Sequence, residues 1–263
     1  MDDDRMIPRP TSIIINGKLL VWSDDRYQLV NPNLPPLIKI IGKFVLARDG
    51  RAGILIRDDR MGISSNEIIN YFNLPSYVTE LVGSESITQV LDIDDNVYCL
   101  NDDLTFSLVA SKVDQISKFH HGICHIRGDR LFYQDSSTCL HSSIVEVDNG
   151  VVMTLDGNIH YVNEQLSSIL LTSNNEIVDI LTIDNDTTGY EVITIQGYGQ
   201  MERFIMGCHK IIIRPIEGVE GITISHFHNQ QGVIVDSNNN HYIFDLDIDN
   251  EGMMSLVLEL ITV

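Results

Sequence analysis

An all-β fold of repeated antiparallel hairpins, a β-propeller of about six blades, is predicted by three features of this sequence. Hairpin-like segments recur from end to end, alanine is almost missing, and apolar runs stay short. Alanine occurs only at positions 47, 52 and 110, whereas Ile, Asp and Asn abound. Ala favours helices, β-branched residues favour strands, and Asn, Asp and Gly suit the turns between them.

The repeat emerges when glycines that precede apolar runs are aligned. From Gly17 the chain reads GKLLVWSDDRYQLV, from Gly42 GKFVLARDGRAGILI, from Gly122 GICHIRGDRLFYQ, from Gly150 GVVMTLDGNIHYV and from Gly232 GVIVDSNNNHYIF. Each copy is a glycine, a strand, a turn and a second strand. The turn pairs are Asp24-Asp25, Asp49-Gly50, Gly128-Asp129, Asp156-Gly157 and Asn238-Asn239, all suited to the positive φ of tight hairpins. A sixth copy from Thr88 lacks the glycine and turns at Asp94-Asp95. Its Tyr98 matches Phe132, Tyr161 and Tyr242 in the other copies. Further strand pairs are expected around 177–195 and 204–225. Repetition on this scale selects a propeller over a sandwich or barrel, since each unit buries its faces only against its neighbours. A four-stranded blade takes roughly 40 to 45 residues, which gives about six blades in one domain spanning 1–263.

One segment departs from this pattern. Ser64 stands three places before Glu67, as in a capping box, and apolar residues at 68, 69, 71 and 72 precede Pro75. The sequence predicts a short helical insertion near 64–73.

The glycine, apolar strand, Asp-Gly turn and following aromatic resemble the regulator-of-chromosome-condensation propeller repeat. Gly150 to Tyr161 carries the resemblance best and Gly122 to Tyr133 next, while Gln196-Gly197-Tyr198-Gly199-Gln200-Met201 is similar to the turn that closes each family repeat. The resemblance implies a propeller of mixed blades. In that family some members promote guanine-nucleotide exchange on small GTPases or bind histones, and many others are interaction platforms. No exchange residue carries over to this chain.

The charge balance narrows the partners. With 17 basic and 37 acidic residues the formal charge is −20, which repels phosphate backbones and disfavours direct nucleic-acid binding. A basic protein partner fits better. No apolar run approaches the roughly 18 residues a membrane span needs, and the start Met-Asp-Asp-Asp-Arg is unlike a secretory signal. The expected location is intracellular: cytoplasm, nucleus or, for a viral chain, the virion. The composition suggests an AT-rich coding genome of the kind large DNA viruses carry.

Chemistry-bearing residues are few. Cys99, Cys124, Cys139 and Cys208 form no C-x-x-C pair, so buried free thiols are expected in place of zinc ribbons or disulfides. The densest cluster is His120, His121, Cys124 and His125, with Cys139 and His141 nearby. On a strand Cys124 and Ile126 share one face and His125 takes the other, which argues against a joint metal site or a Cys-His nucleophilic pair. The acidic alternation from Asp245 to Glu251 lacks the glycine and glutamate of a calcium loop and reads as a half-buried strand, as do Asp92-Asp94 and Asp184-Asp186. Phosphate-loop, G-x-S-x-G and H-E-x-x-H motifs are missing. No catalytic residue, metal or cofactor is expected. The leading expectation is a non-catalytic scaffold that docks a basic protein. A propeller hydrolase or lyase using His120, His121 and His125 in a central channel stands second, and an exchange-factor-like regulator, by family analogy, third.

Overall fold

A computed structural model describes residues 12–23, 26–56, 68–83, 87–185, 189–196, 201–207, 210–215, 224–228, 233–248 and 254–261. Strands account for all its regular structure, and the fold is a β-propeller with six four-stranded blades preceded by a three-stranded sheet. That sheet comprises β1 (Ser12–Ile15), β2 (Lys18–Ser23) and β3 (Arg26–Leu29). The first blade holds β4 (Leu37–Ile41), β5 (Phe44–Ala47), β6 (Ala52–Ile56) and β7 (Ile68–Tyr71), and the second β8 (Val78–Gly83), β9 (Thr88–Asp92), β10 (Asn96–Leu100) and β11 (Phe106–Ser111). In the third are β12 (Gln115–Phe119), β13 (Gly122–Arg127), β14 (Arg130–Tyr133) and β15 (Ser136–Cys139); in the fourth, β16 (Ile144–Asp148), β17 (Val151–Thr154), β18 (Asn158–Val162) and β19 (Ser168–Ser173). The fifth takes β20 (Ile177–Asn185), β21 (Gly189–Gln196), β22 (Met201–Gly207) and β23 (Lys210–Pro215), and the sixth β24 (Ile224–His228), β25 (Val233–Asp236), β26 (His241–Ile248) and β27 (Met254–Leu260).

Two compact units result. One contains Ile14–Val21 and Gln28–Thr172, hence the first four blades, and the other is built around Ser173–Val263, hence the last two. Within each, the cores lie between neighbouring blades, as expected of stacked repeats. Leu46, Ala52, Val78, Leu81 and Val90 join the first blade to the second. Val82, Leu91, Val97, Val113, Ile116 and Ile123 join the second to the third. Phe119, Cys124, Ile126, Leu131, Val147 and Val152 are among those that join the third to the fourth. In the smaller unit Leu181, Ile193, Ile195, Met201, Ile234 and Leu256 do the same for the fifth and sixth.

The helix expected near 64–73 is not present where residues are described. Residues 64–67 lie outside the described residues, and Ile68–Tyr71 is β7, paired antiparallel with Ala52–Ile56 through Ile56↔Ile68 and Gly53↔Tyr71. The β-branched pair Ile68-Ile69 suits a strand, and the ladder with β6 satisfies backbone groups that a short isolated helix would leave open at its ends. Gly53 makes the pairing close: a Cβ there would lie 2.6 Å from the Asn70 carbonyl oxygen.

A device that the sequence pattern did not reveal recurs in the first strand of five blades. The register slips between Leu37 and Lys39, Val78 and Glu80, Ile144 and Glu146, Ile177 and Asp179, and Ile224 and His226. Each slip is a β-bulge, which re-aims side chains at a strand end. Ile38, Val145 and Val178, at the bulges, are left exposed.

Candidate docking face

The turns between the second and third strands of successive blades share one end of the larger unit, because backbone bonds chain them together. The Gly17, Gly50, Asp95 and Gly128 carbonyls accept the N–H groups of Leu37, Val78, Val113 and Ile144, each of which leads into the next first strand. Within a blade that strand start lies opposite the blade's own second-to-third turn, as Val78↔Asp92 and Ile144↔Thr154 show. The bond from Gly17, together with Val30 N–H to the Leu19 carbonyl, matches β1, β2 and β3 to the second, third and fourth strands of a blade. The Gly17 copy is therefore one strand out of phase with the copy at Gly150.

Side chains build these turns. Asp92 Oδ1 accepts the N–H groups of Asp94 (3.0 Å) and Asn96 (2.8 Å), and Asp236 Oδ1 does the same for Asn238 and Asn240 (both 2.8 Å). Tyr242 Oη adds a bond to Asp236 Oδ2, and Tyr98 makes the equivalent contact with Asp92. Asp92 is thus buried, not the solvated strand residue the alternation suggested. A buried carboxylate is tolerated here because backbone donors surround it. In the fourth blade Thr154 takes this place and its hydroxyl donates to Asp156 Oδ1 at 2.6 Å. His160, paired with Val152 as Tyr98 is with Val90 and Tyr242 with Ile234, occupies the tyrosine position assigned from sequence to Tyr161. The spacing of four between Asp and Asn in DIDDN and DSNNN, with Tyr two residues on, was the signal for this motif.

Positive φ falls at Gly17 (+80°), Gly42 (+55°), Gly50 (+80°), Gly128 (+58°), Gly150 (+93°), Gly157 (+78°) and Asn239 (+63°), with Asp49, Asp129, Asp156 and Asn238 in the same turns. Gly122 is instead the first residue of β13, where a Cβ would lie 2.9 Å from the Tyr133 ring. Asp24 and Gly232, like residues 197–200 of the proposed closing turn, lie outside the described residues.

What this end displays is apolar tips among carboxylates. Tyr77 is 63% exposed, Ile93 61% and Leu155 74%, although all sit in turns or beside them. Ile93 N–H bonds to the Tyr77 carbonyl, so those two adjoin. Asp94 and Asp95 follow Ile93, and Asp156 follows Leu155. Hydrogen bonds keep several turn carboxyls below the usual carboxylate range: chiefly from Arg51 at Asp49, from Cys139 at Asp129 and from Thr154 at Asp156. Beside Tyr77 a recess of about 340 Å³ is lined by Gly50, Arg51, Ala52, Phe72, Leu74, Pro75 and Ser76, with the Arg51 guanidinium 4.0 Å from the Tyr71 ring centre. Apolar tips and an Arg-aromatic pair beside a recess are the elements from which protein-binding hot spots are made. Only the apolar residues in turn positions, Ile in DIDDN and Leu in TLDGN, marked the face in the sequence.

The histidine cluster disperses. His120 is buried with φ +50°, its Nε2 2.9 Å from the Val162 carbonyl and its ring edge-on to Phe119. Cys124 is fully buried with Ile126 in the core between the third and fourth blades, and burial pushes its thiol far up. His121 is exposed, 3.8 Å from Glu164. His125 bonds Gln89 Oε1 at 2.9 Å, and burial, then Arg127, lowers its pKa. His121 and His125 do line one cleft of about 400 Å³ with Phe132, Tyr133 and Gln134, but among the described residues no carboxylate lines it. Cys99 and Cys139 are partly exposed, against the expectation of burial, and Cys208 lies outside the described residues. Among the described residues no group of three or more His, Cys, Asp or Glu side chains is placed to hold a metal ion, and no helix is long and apolar enough to cross a membrane.

No protein-family model matches the chain, and no curated protein sequence does. Solved structures do match. BBS1N, solved in complex with ARL6DN, superposes with a TM-score of 0.59 over 95% of this chain and 86% of its own, at 13% identity. Human WBSCR16 gives a TM-score of 0.58 over 98% and 89%, at 9% identity. At such identities the likeness is one of fold, and the fold is the β-propeller.

Proposed function

We propose that this chain is a non-catalytic propeller that docks a basic protein partner on the end bearing the second-to-third turns, inside a cell. The observation that carries this reading is the exposure of Tyr77, Ile93 and Leu155 in the midst of turn carboxylates. Apolar tips supply desolvation at the centre of a contact, while the carboxylates and the net charge of −20 steer a cationic surface toward it. The neighbour BBS1N was itself solved bound to another protein, which is consistent with such use of the fold. The glycine–strand–Asp-Gly–aromatic pattern supports descent of the blades from regulator-of-chromosome-condensation repeats. The three histidines named for a hydrolase or lyase reading do not converge, since His120 bonds the Val162 carbonyl outside the cleft that His121 and His125 share.

The test compares the wild type with an Ile93→Ser, Leu155→Ser double variant as immobilised bait. Binding of an isolated partner that weakens at least about tenfold in the variant, and falls as salt rises, is expected. A partner held equally by both proteins and insensitive to salt would move the interface elsewhere, and a turnover activity in the purified protein would overturn the reading.

A further inference from the structure

The first-strand bulges bring Lys39 and Glu80 to equivalent positions in adjoining blades, opposite Leu46 and Leu91. A cleft of about 380 Å³ opens there, walled by Ile38, Leu46 and Leu91 and carrying Thr79, Glu80 and Asp114 beside Lys39. Both charged residues are half-buried. Glu80 Oε2 accepts the Ile116 N–H at 2.9 Å. Among the described residues no carboxylate lies within ion-pair distance of the Lys39 amine, so Glu80 attracts it only from farther off.

We propose that Lys39 is a carbonyl-reactive lysine whose amine condenses with small uncharged aldehydes admitted to this cleft, Glu80 carrying the proton. The amine nitrogen adds to the carbonyl carbon, and a proton moves to the oxygen. Water then leaves with the former carbonyl oxygen and both amine hydrogens, giving an imine. The apolar walls suit an uncharged reactant, and desolvation serves the chemistry on both sides. Burial lowers the Lys39 pKa against the pull of Glu80, which enriches the neutral nucleophile. It raises that of Glu80 against the Ile116 N–H and Lys39, which favours proton uptake by the carboxyl. Asp114, the other acid of the cleft, is committed through Oδ2 to the Gly128 N–H at 2.6 Å.

The experiment treats the folded chain with benzaldehyde and cyanoborohydride near neutral pH, which reduces any imine to a stable secondary amine, and maps adducts by peptide mass spectrometry. Lys39 is expected to react measurably faster than exposed Lys43 and Lys118, since a lowered pKa leaves more of its amine neutral. In urea the preference disappears. Lys39→Arg, checked for folding by circular dichroism, leaves only the slow background. Glu80→Gln keeps an acceptor for Ile116 and is expected to slow Lys39 several-fold and flatten the acid side of its pH profile. Equal rates at Lys39 and Lys43 in the folded protein overturn the proposal; an unchanged or faster rate in Glu80→Gln removes Glu80 from it.

Discussion

Gly42 and Gly150 hold the same place in two blades, the turn between the first and second strands, and both have positive φ. Their surroundings differ completely. A Cβ on Gly42 would meet nothing within 4 Å, whereas one on Gly150 would lie 2.6 Å from His120 Cε1 and 3.1 Å from the Val162 carbonyl oxygen. The first glycine serves the handedness of the turn alone. The second also makes room for a histidine from the preceding blade, whose Nε2 bonds the same Val162 carbonyl that closes the fourth blade's third strand. A repeat that looks uniform in sequence thus contains one position fixed by conformation and another fixed by packing between blades.

The largest effect that tests this contrast is expected from Gly150→Ala. Left-handed strain of about 1–2 kcal/mol adds to about 1–3 kcal/mol of overpacking against His120, read as a lowered urea midpoint. In a His120→Ala background the same change is expected to cost at least about 1 kcal/mol less, because the two positions share one space. Equal costs in both backgrounds would mean that the ring swings away freely. Next comes Asp92→Ala, which strands the N–H groups of Asp94 and Asn96 and is expected to cost about 2 kcal/mol in the same assay. Gly42→Ala follows at about 1 kcal/mol, from handedness alone. A cost matching that of Gly150→Ala would erase the distinction.

The smallest effect is electrostatic. The Cys139 thiol donates to Asp129 at 3.0 Å and holds that carboxyl below the usual range. At Asp129 the folded protein therefore binds fewer protons than the unfolded chain as pH falls through the ordinary carboxylate range. The stabilisation is present above that range and is lost below it. Cys139→Ala is expected to move the Asp129 titration upward, followed by carboxyl carbon NMR, with little change in stability at neutral pH.

How far the molecule could be read from its residues follows from the same contrast. The Gly150–Tyr161 copy was legible because its turn residues, Asn149-Gly150 and Asp156-Gly157, set the backbone through their own chemistry. The segment near Ser64–Phe72 misled because a capping-box spacing is local, whereas the pairing of Ile68–Tyr71 with β6 is a tertiary choice. The proposed docking face was half legible. Its carboxylates show in the composition, but that Tyr77, Ile93 and Leu155 stay exposed depends on turns being chained end to end. Lys39 and Glu80 gave no signal, since neither a bulge nor the fit of one blade against the next is written in any single segment.

The carbonyls of Gly17, Gly50, Asp95 and Gly128 each receive an N–H from the start of the sheet that follows in the chain, or, for Val113, from just before it. Each of these bonds joins a turn to chain synthesised after it, so vectorial assembly of the larger unit can add one blade at a time. As the polypeptide emerges from the ribosome, every finished turn offers an acceptor to the strand made next, and the face just completed is covered by the blade that follows. At any moment one blade's apolar face, not the whole core, awaits its neighbour, which limits the surface a nascent chain exposes to aggregation.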